Sequence, residues 1–99
     1  MSYRFSGEHC LAFHDVSPQA PVHVLMIPKK EIESLEQLAA EDAELLGHMW
    51  LTIVHVARQL GLSSDGYRVV VNCGKHGGQS VDQLHFHILG GRNLGWPPG

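Results

Sequence analysis

The sequence has few of the features that mark a secreted protein. Only two of its 99 residues are cysteines, and Cys10 and Cys73 lie far apart and outside any CxxC pair. Two cysteines cannot build the disulfide framework of a small secreted domain. We therefore expect reduced, buried thiols in an intracellular protein, with the cytoplasm as its place and the nucleus as a second compartment.

An excess of positive charge is also lacking, as is any long apolar run. Seven Lys and Arg residues stand against ten Asp and Glu, a formal net charge of -3, so no broad basic face is available for a nucleic-acid backbone. No window approaches the roughly 18 apolar residues of a membrane span. The N-terminus "MSYRFSGEHC" lacks the apolar stretch of a signal peptide. We expect neither nucleic acid nor a membrane as a partner.

Length sets a further bound. The 99 residues fit a single domain covering 1–99, with no repeat and no linker. A chain of this size buries only about two thirds of its unfolded surface, so any larger core must come from a partner.

Local patterns predict an α+β domain. Between Ala40 and Leu60 the apolar residues recur every three or four positions, the period of an amphipathic helix, and Gly61 is a suitable end. Runs of apolar and β-branched residues bounded by Gly, Pro and Ser predict four strands, at Cys10–Val16, Val22–Pro28, Tyr67–Cys73 and Val81–Leu89. A glycine-rich loop, Gly74–Ser80, joins the last two. We expect an antiparallel sheet of about four to five strands with one long helix packed on a face.

Histidine is the residue the sequence has in excess, with eight copies. Two of them lie in "QLHFHILGG", within the last predicted strand. Because alternate side chains of a strand share a face, Gln83, His85 and His87 point one way at intervals of about 6.6 Å, and Leu84, Phe86 and Ile88 point into the core. Such a pair can contact different oxygens of one phosphate, flank a metal ion, or lie solvated on an open sheet face.

The surrounding residues favour a binding site over solvated side chains, because the pair follows a glycine-rich loop that ends in the polar Gln79 and Ser80. A zinc site needs three or four ligands, of which this pair supplies two and His23 a third. Neither a cysteine nor an acidic cluster completes the set. We therefore expect no metal and no other cofactor.

Several long motifs resemble one family. The stretches "CLAFHDVSPQAPVHVLMIPKK", "GGQS", "LHFHILGGR" and "WPPG" are similar to those of the histidine triad (HIT) nucleotide-binding proteins, in the branch of purine nucleoside phosphoramidases formerly called protein kinase C inhibitor-like. The resemblance runs from about residue 8 to the end of the chain. It implies a homodimer whose sheets join across the interface, with one purine nucleotide site per subunit. It also implies hydrolysis of nucleoside phosphoramidates, such as adenosine 5′-monophosphoramidate, through a nucleotidyl-histidine intermediate.

The resemblance also implies roles for single residues. His85 matches the triad histidine that attacks the α-phosphate, and His87 matches the histidine that contacts the phosphate. His23 matches an upstream histidine of the active site, and Ser80 matches a serine near the leaving group. Asp15 matches the acidic residue that binds the ribose hydroxyls. The remaining matches are the base-pocket wall, the ribose and phosphate lining, and a tail residue near the partner subunit's site: Phe13, His14, Val16 and Leu25; Asn72 and Gly78; and Trp96.

Two departures from the family pattern affect the activity that we expect. Gln83 occupies the first triad position, normally a histidine; its carbonyl can still orient His85, but an amide cannot relay a proton. Relatives also normally begin with a helix that helps wall the base pocket, so we expect a more open pocket here. The expectation is a hydrolase of reduced activity, and the alternative is a catalytically weak or inactive nucleotide-binding or interaction protein of the same fold.

Overall fold

The structure, a computed structural model, describes residues 3–99 and confirms an antiparallel sheet with one long helix on a face. Its five strands, in chain order, are β1 (Arg4–Ser6), β2 (Cys10–His14), β3 (Val22–Pro28), β4 (Tyr67–Val71) and β5 (Phe86–Gly90). The helix α1 (Ala43–Gln59) connects β3 to β4, and a four-residue helix α2 (Gly74–Gly77) follows β4. The strand order is β1-β2-β3-β5-β4, and all neighbouring strands are antiparallel.

Helix α1 begins after two 3-10 turns, Leu35–Gln37 and Ala40–Asp42, so the first residues of the predicted helix are 3-10 rather than α. Glu44 in its first turn and Arg58 in its last complement the helix dipole. The helix ends where Gly61 turns the chain with φ of +73°, a conformation that glycine adopts without steric cost. Within residues 3–99, no helix is both long and apolar enough to cross a membrane.

The core lies between α1 and one face of the sheet. Its helix residues and its strand residues are all buried, at 2% exposure or less: Met49, Ile53, Val56 and Ala57; Ala12, Val24, Met26, Phe86 and Ile88. Because side chains alternate across each strand, the intervening residues point to the uncovered face. There Leu25, His87 and Val70 lie side by side in the registered positions of β3, β5 and β4.

The prediction of a strand over Val81–Leu89 is wrong at its start, since β5 begins only at Phe86. The backbone before it bonds outside the sheet: Leu84 N–H donates to the carbonyl of Ile32 at 2.8 Å, and the carbonyl of Gln83 accepts from the His85 ring at 2.7 Å. Gln83 and His85 therefore precede the strand. Leu84 is nevertheless buried at 1% exposure, so the alternation persists beyond the sheet.

Other boundaries also differ. Strand β3 has the predicted bounds, whereas β2 stops at His14 and β4 stops at Val71, each two residues early. Beyond His14, the Asp15 N–H still donates to the carbonyl of His23 at 2.9 Å, and the chain then turns where the Asp15 carboxylate Oδ1 accepts from Ser17 N–H at 2.7 Å. The glycine-rich loop contains the short helix α2. Strand β1 was missed because its three residues, with one apolar side chain between two polar ones, are too few for alternation to identify a strand.

Candidate active site

A cleft of about 370 Å³ lies on the uncovered face of the sheet. Strands β2 and β3 form one wall, and the segment from Ser80 to His87 forms the other. Apolar and polar side chains both line it: Phe13, Val16, Leu25, Ile27 and Val81; Asp15, Ser80, Gln83, His85 and His87. A mixed lining of this kind can hold a flat apolar group at one end and an anion at the other.

The ring of His85 is oriented by the backbone. Its Nδ1 lies 2.7 Å from the carbonyl oxygen of Gln83, and since a carbonyl only accepts, Nδ1 carries the proton. The neutral ring then has an unprotonated Nε2. This nitrogen has a free lone pair and can act as a nucleophile or as a base.

A second hydrogen-bond chain sets the protons on His23 and His87. The backbone N–H of Gln19 donates to His23 Nδ1 at 3.0 Å, so the proton of neutral His23 lies on Nε2. That nitrogen is 2.9 Å from His87 Nδ1 and donates to it, which leaves the His87 proton on Nε2. His87 Nε2 is buried and has no hydrogen-bond partner within residues 3–99. A buried N–H without an acceptor suits an oxygen of a bound anion.

Burial keeps this chain neutral. It lowers the pKa of His23, which is 4% exposed, and the nearby Asp15 carboxylate only partly offsets this effect. Burial also lowers the pKa of His87, with smaller contributions in the same direction from His85 and His23. Both rings are therefore neutral at pH 7, the state that the hydrogen-bond chain requires.

A metal ion is the rival occupant of this cluster. The sequence predicted that neither a cysteine nor an acidic cluster completes a ligand set, but one carboxylate does lie beside two of the histidines: ligand atoms of Asp15, His23 and His87 are all within 4.8 Å of one another. A metal-bound histidine, however, donates its other ring N–H to an acceptor. Here Nδ1 of His23 faces the N–H of Gln19, which is itself a donor. The arrangement fits a hydrogen-bond chain better than a metal centre.

Most of the predicted site residues come together in this cleft. Its lining includes seven of them: Phe13, Asp15, Val16, Leu25, Ser80, His85 and His87. His23 lies behind the lining and contacts it through His87. This contact follows from register, since His87 pairs with Leu25 and His23 lies two residues before Leu25 on the same face of β3.

Four predicted residues lie elsewhere. His14 points to the helix side, where its ring meets Tyr3 edge-on, because the adjacent Phe13 already points into the cleft. Asn72 lines a neighbouring cavity of about 410 Å³ beside β4. Gly78 ends α2 with φ of +80° and does not line the cleft, and Trp96 is 82% exposed with the Arg68 guanidinium 6.0 Å from its ring centre.

Sequence reasoning missed residues of two kinds. Ile27 lines the cleft and could have been found, because it lies two positions after Leu25 on the same strand. Gln19 orients His23 through its backbone N–H, which a pattern of side chains in the sequence cannot reveal.

Comparison with known proteins places these residues in a family. A model of the HIT domain matches residues 4–94. An uncharacterized HIT-like protein of Synechococcus elongatus is 55% identical over 95 residues, which cover 96% of this chain and 82% of that protein. A second uncharacterized HIT-like protein, from a Synechocystis species, is 53% identical over the same shares of the two chains.

Solved structures agree. A HIT family hydrolase from Legionella pneumophila superposes with a TM-score of 0.93 at 45% identity, covering 96% of this chain and 85% of that one. A histidine triad protein from Clostridium difficile gives a TM-score of 0.90 at 38% identity, with coverage of 96% and 84%.

Proposed function

This chain belongs to the HIT domain family, and from that membership we propose that it is a purine nucleotide-binding hydrolase that cleaves nucleoside phosphoramidates, of the adenosine 5′-monophosphoramidase type. One observation carries the proposal: a free Nε2 lone pair on His85 and an unpartnered Nε2–H on His87 belong to one cleft. Attack on a phosphoryl centre requires a nucleophile and a group that donates a hydrogen bond to the negatively charged oxygen.

The proposed reaction has two steps. His85 Nε2 attacks the α-phosphorus, so a bond forms from phosphorus to the ring nitrogen while the bond from phosphorus to the leaving amine breaks. The leaving nitrogen takes the electron pair of the broken bond and a proton from the Ser80 hydroxyl, which lines the same cleft and regains its proton from solvent, so the amine departs neutral. His87 Nε2–H donates to a non-bridging phosphoryl oxygen. Water then hydrolyses the nucleotidyl-His85 intermediate and releases the nucleoside monophosphate.

The rest of the cleft suits a nucleoside. Phe13, Leu25 and Ile27 supply an apolar wall on β2 and β3 against which a purine can lie. The Asp15 carboxylate lines the same cleft, with an oxygen within 4.8 Å of a ring nitrogen of His87, and can accept hydrogen bonds from ribose hydroxyls.

The identity of residue 83 limits the proposed rate. The carbonyl of Gln83 already orients His85, as a histidine carbonyl at this position would. Its amide side chain has no accessible proton equilibrium, and loss of one acid-base group costs about 10²- to 10⁴-fold in rate. We therefore propose reduced turnover with nucleotide binding retained.

A homodimer is part of the proposal. Strand β4 lies at the edge of the sheet and can pair with a second copy. Beside it, α1 exposes Trp50 at 48% and Leu51 at 72%, and the Trp50 ring packs 5.5 Å from that of Phe86, which pairs with Val71 of β4. We propose that these exposed apolar residues and the edge strand together make the dimer interface. In such a dimer the exposed Trp96 is proposed to approach the partner subunit's site.

Turnover of an adenosine phosphoramidate tests the function. We expect slow hydrolysis by the wild type, none by His85→Ala, and faster hydrolysis by Gln83→His. Exposed His55, on α1 and outside the cleft lining, provides the control variant His55→Ala, which should match the wild type.

The second candidate function, a binding protein without chemistry, is favoured by Gln83 alone. It predicts that the wild type and His85→Ala are equally inert while both bind AMP. Recovery of turnover in Gln83→His would then identify the first triad position as the cause.

A further inference from the structure

The segment that presents the candidate nucleophile is irregular. Residues 80–85, between α2 and β5, contain no helix or strand, yet they include Ser80, Gln83 and His85. One anchor is the hydrogen bond from Leu84 N–H to the carbonyl of Ile32 at 2.8 Å. A segment without regular secondary structure needs further contacts if the Ser80 hydroxyl and the His85 ring are to keep a reactive geometry.

The side chain of Gln79 provides those contacts. Its Oε1 accepts from Gly74 N–H at 3.0 Å. Its Nε2 donates to the carbonyl of Glu33 at 2.7 Å and to the carbonyl of Val81 at 2.9 Å. The amide thus joins the start of α2, the loop after β3 and the beginning of the irregular segment. Both Nε2 hydrogens are used, and all three partners are backbone groups.

From these contacts we infer that Gln79 is a positioning residue for the reaction at His85. Glu33 follows Ile32, so the segment is fastened to two consecutive carbonyls, by the Gln79 amide at one end and by Leu84 N–H at the other. Between these points lie Ser80 and Gln83, whose carbonyl orients the His85 ring. Gln79 itself does not line the cleft, so it acts through these residues and not on the substrate. The inference rests on the proposed phosphoramidase activity.

If Gln79 acts by positioning, its amide must donate hydrogen bonds; if it only fills space, its shape is enough. A variant that keeps the shape and loses the donor distinguishes the two roles. In Gln79→Glu the side chain keeps its shape, but an ionised carboxylate cannot donate to the carbonyls of Glu33 and Val81. A protonated carboxyl can donate to one of them. Since displacement of a reacting group by about 1 Å can cost about 100-fold in rate, we expect Gln79→Glu to lower kcat by about 10- to 100-fold at pH 8. The deficit relative to wild type should shrink as the pH falls and the carboxyl protonates.

The experiment measures kcat for an adenosine phosphoramidate and the affinity for AMP between about pH 4 and 8, a range that includes the ordinary glutamate pKa of about 4.3. The variants are Gln79→Glu, the uncharged Gln79→Met, and the control Gln59→Glu, which makes the same change at an exposed position on α1. We expect a kcat deficit that recovers in acid for Gln79→Glu, one that is constant with pH for Gln79→Met, and none for Gln59→Glu. At each pH, every variant should bind AMP with the wild-type affinity, because none of the substitutions changes the residues proposed to contact the base and the ribose.

Wild-type kcat in both Gln79 variants, or a Gln79→Glu deficit that is equal at every pH, would overturn the inference while leaving the proposed function intact. If Gln79→Glu does not fold at pH 8, Gln79→Met decides, and normal kcat there overturns the inference. Failure of the proposed function looks different: the wild type is then inert, or His85→Ala hydrolyses as fast as the wild type, and the inference falls with it.

Discussion

Replacing His23 with alanine tests the hydrogen-bond chain behind the cleft. His23 is 4% exposed, accepts from Gln19 N–H and donates to His87 Nδ1. Each of these hydrogen bonds contributes about 1 kcal/mol net, and removal of a buried ring leaves a cavity as well as an unpaired N–H. We expect His23→Ala to lower the free energy of unfolding by about 2–4 kcal/mol at pH 8.

The decrease in the free energy of unfolding caused by His23→Ala should depend on pH. Burial holds the pKa of His23 below its ordinary value, so the unfolded chain binds a proton near pH 6.5 while the folded chain does not. Wild-type stability therefore falls as the pH drops below about 6.5, by at most about 1.4 kcal/mol per pH unit for this histidine, and levels off below the folded pKa. The variant lacks this group, so the gap between wild type and His23→Ala narrows in acid.

Urea denaturation followed by far-UV circular dichroism, between about pH 5.5 and 8, measures both effects. His55→Ala is the control, because that imidazole is exposed, with its ring beside that of Phe5. A gap below about 0.5 kcal/mol at pH 8, or a gap that does not change with pH, would refute the assignment of protons along Gln19, His23 and His87.

Three further predictions concern the core, an ion pair with a buried carboxylate, and the dimer. Phe86→Ala empties a site that is 2% exposed and should lower the free energy of unfolding in urea by about 3–5 kcal/mol. The Lys30 ammonium lies 2.6 Å from the Asp42 carboxylate and lowers the pKa of Asp42. Lys30→Met should therefore destabilise the protein at neutral pH, and this effect should disappear once acid protonates Asp42. An equal destabilisation in acid would contradict the prediction. Leu51→Glu should convert the proposed dimer to a 10.9 kDa species in sedimentation, whereas a wild type that is already monomeric at micromolar concentration would contradict the dimer.

The parts of the fold that local pattern dictates were predictable. Strand β3 has the predicted bounds because its alternation is interrupted by Pro21 and Pro28, and α1 follows from its three-and-four spacing. Strand β1 could not be found in this way, since it exists through backbone pairing of Phe5 with Ala12 and not through its own composition.

The site was predictable in its residue types but not in its geometry. Alternation placed Leu84 and Phe86 in the core, but it also implied a strand through His85. That strand is absent because the carbonyl of Gln83 is bonded to the His85 ring. The contact between His23 and His87 depends on the register of β3 and β5, which lie far apart in the sequence. The sequence alone offered His23 as a possible third metal ligand, and the family resemblance implied its place in the active site.

The most direct test of His85 as the nucleophile is chemical trapping. Wild-type protein is mixed with excess adenosine phosphoramidate, quenched during the first turnover at alkaline pH, where phosphohistidine-type bonds persist, and digested for peptide mass spectrometry. We predict one adenylyl group on the peptide that contains His85, localised to that residue, and none in His85→Ala. Turnover without any adduct, or an adduct on His87 or His23 instead, would contradict the account.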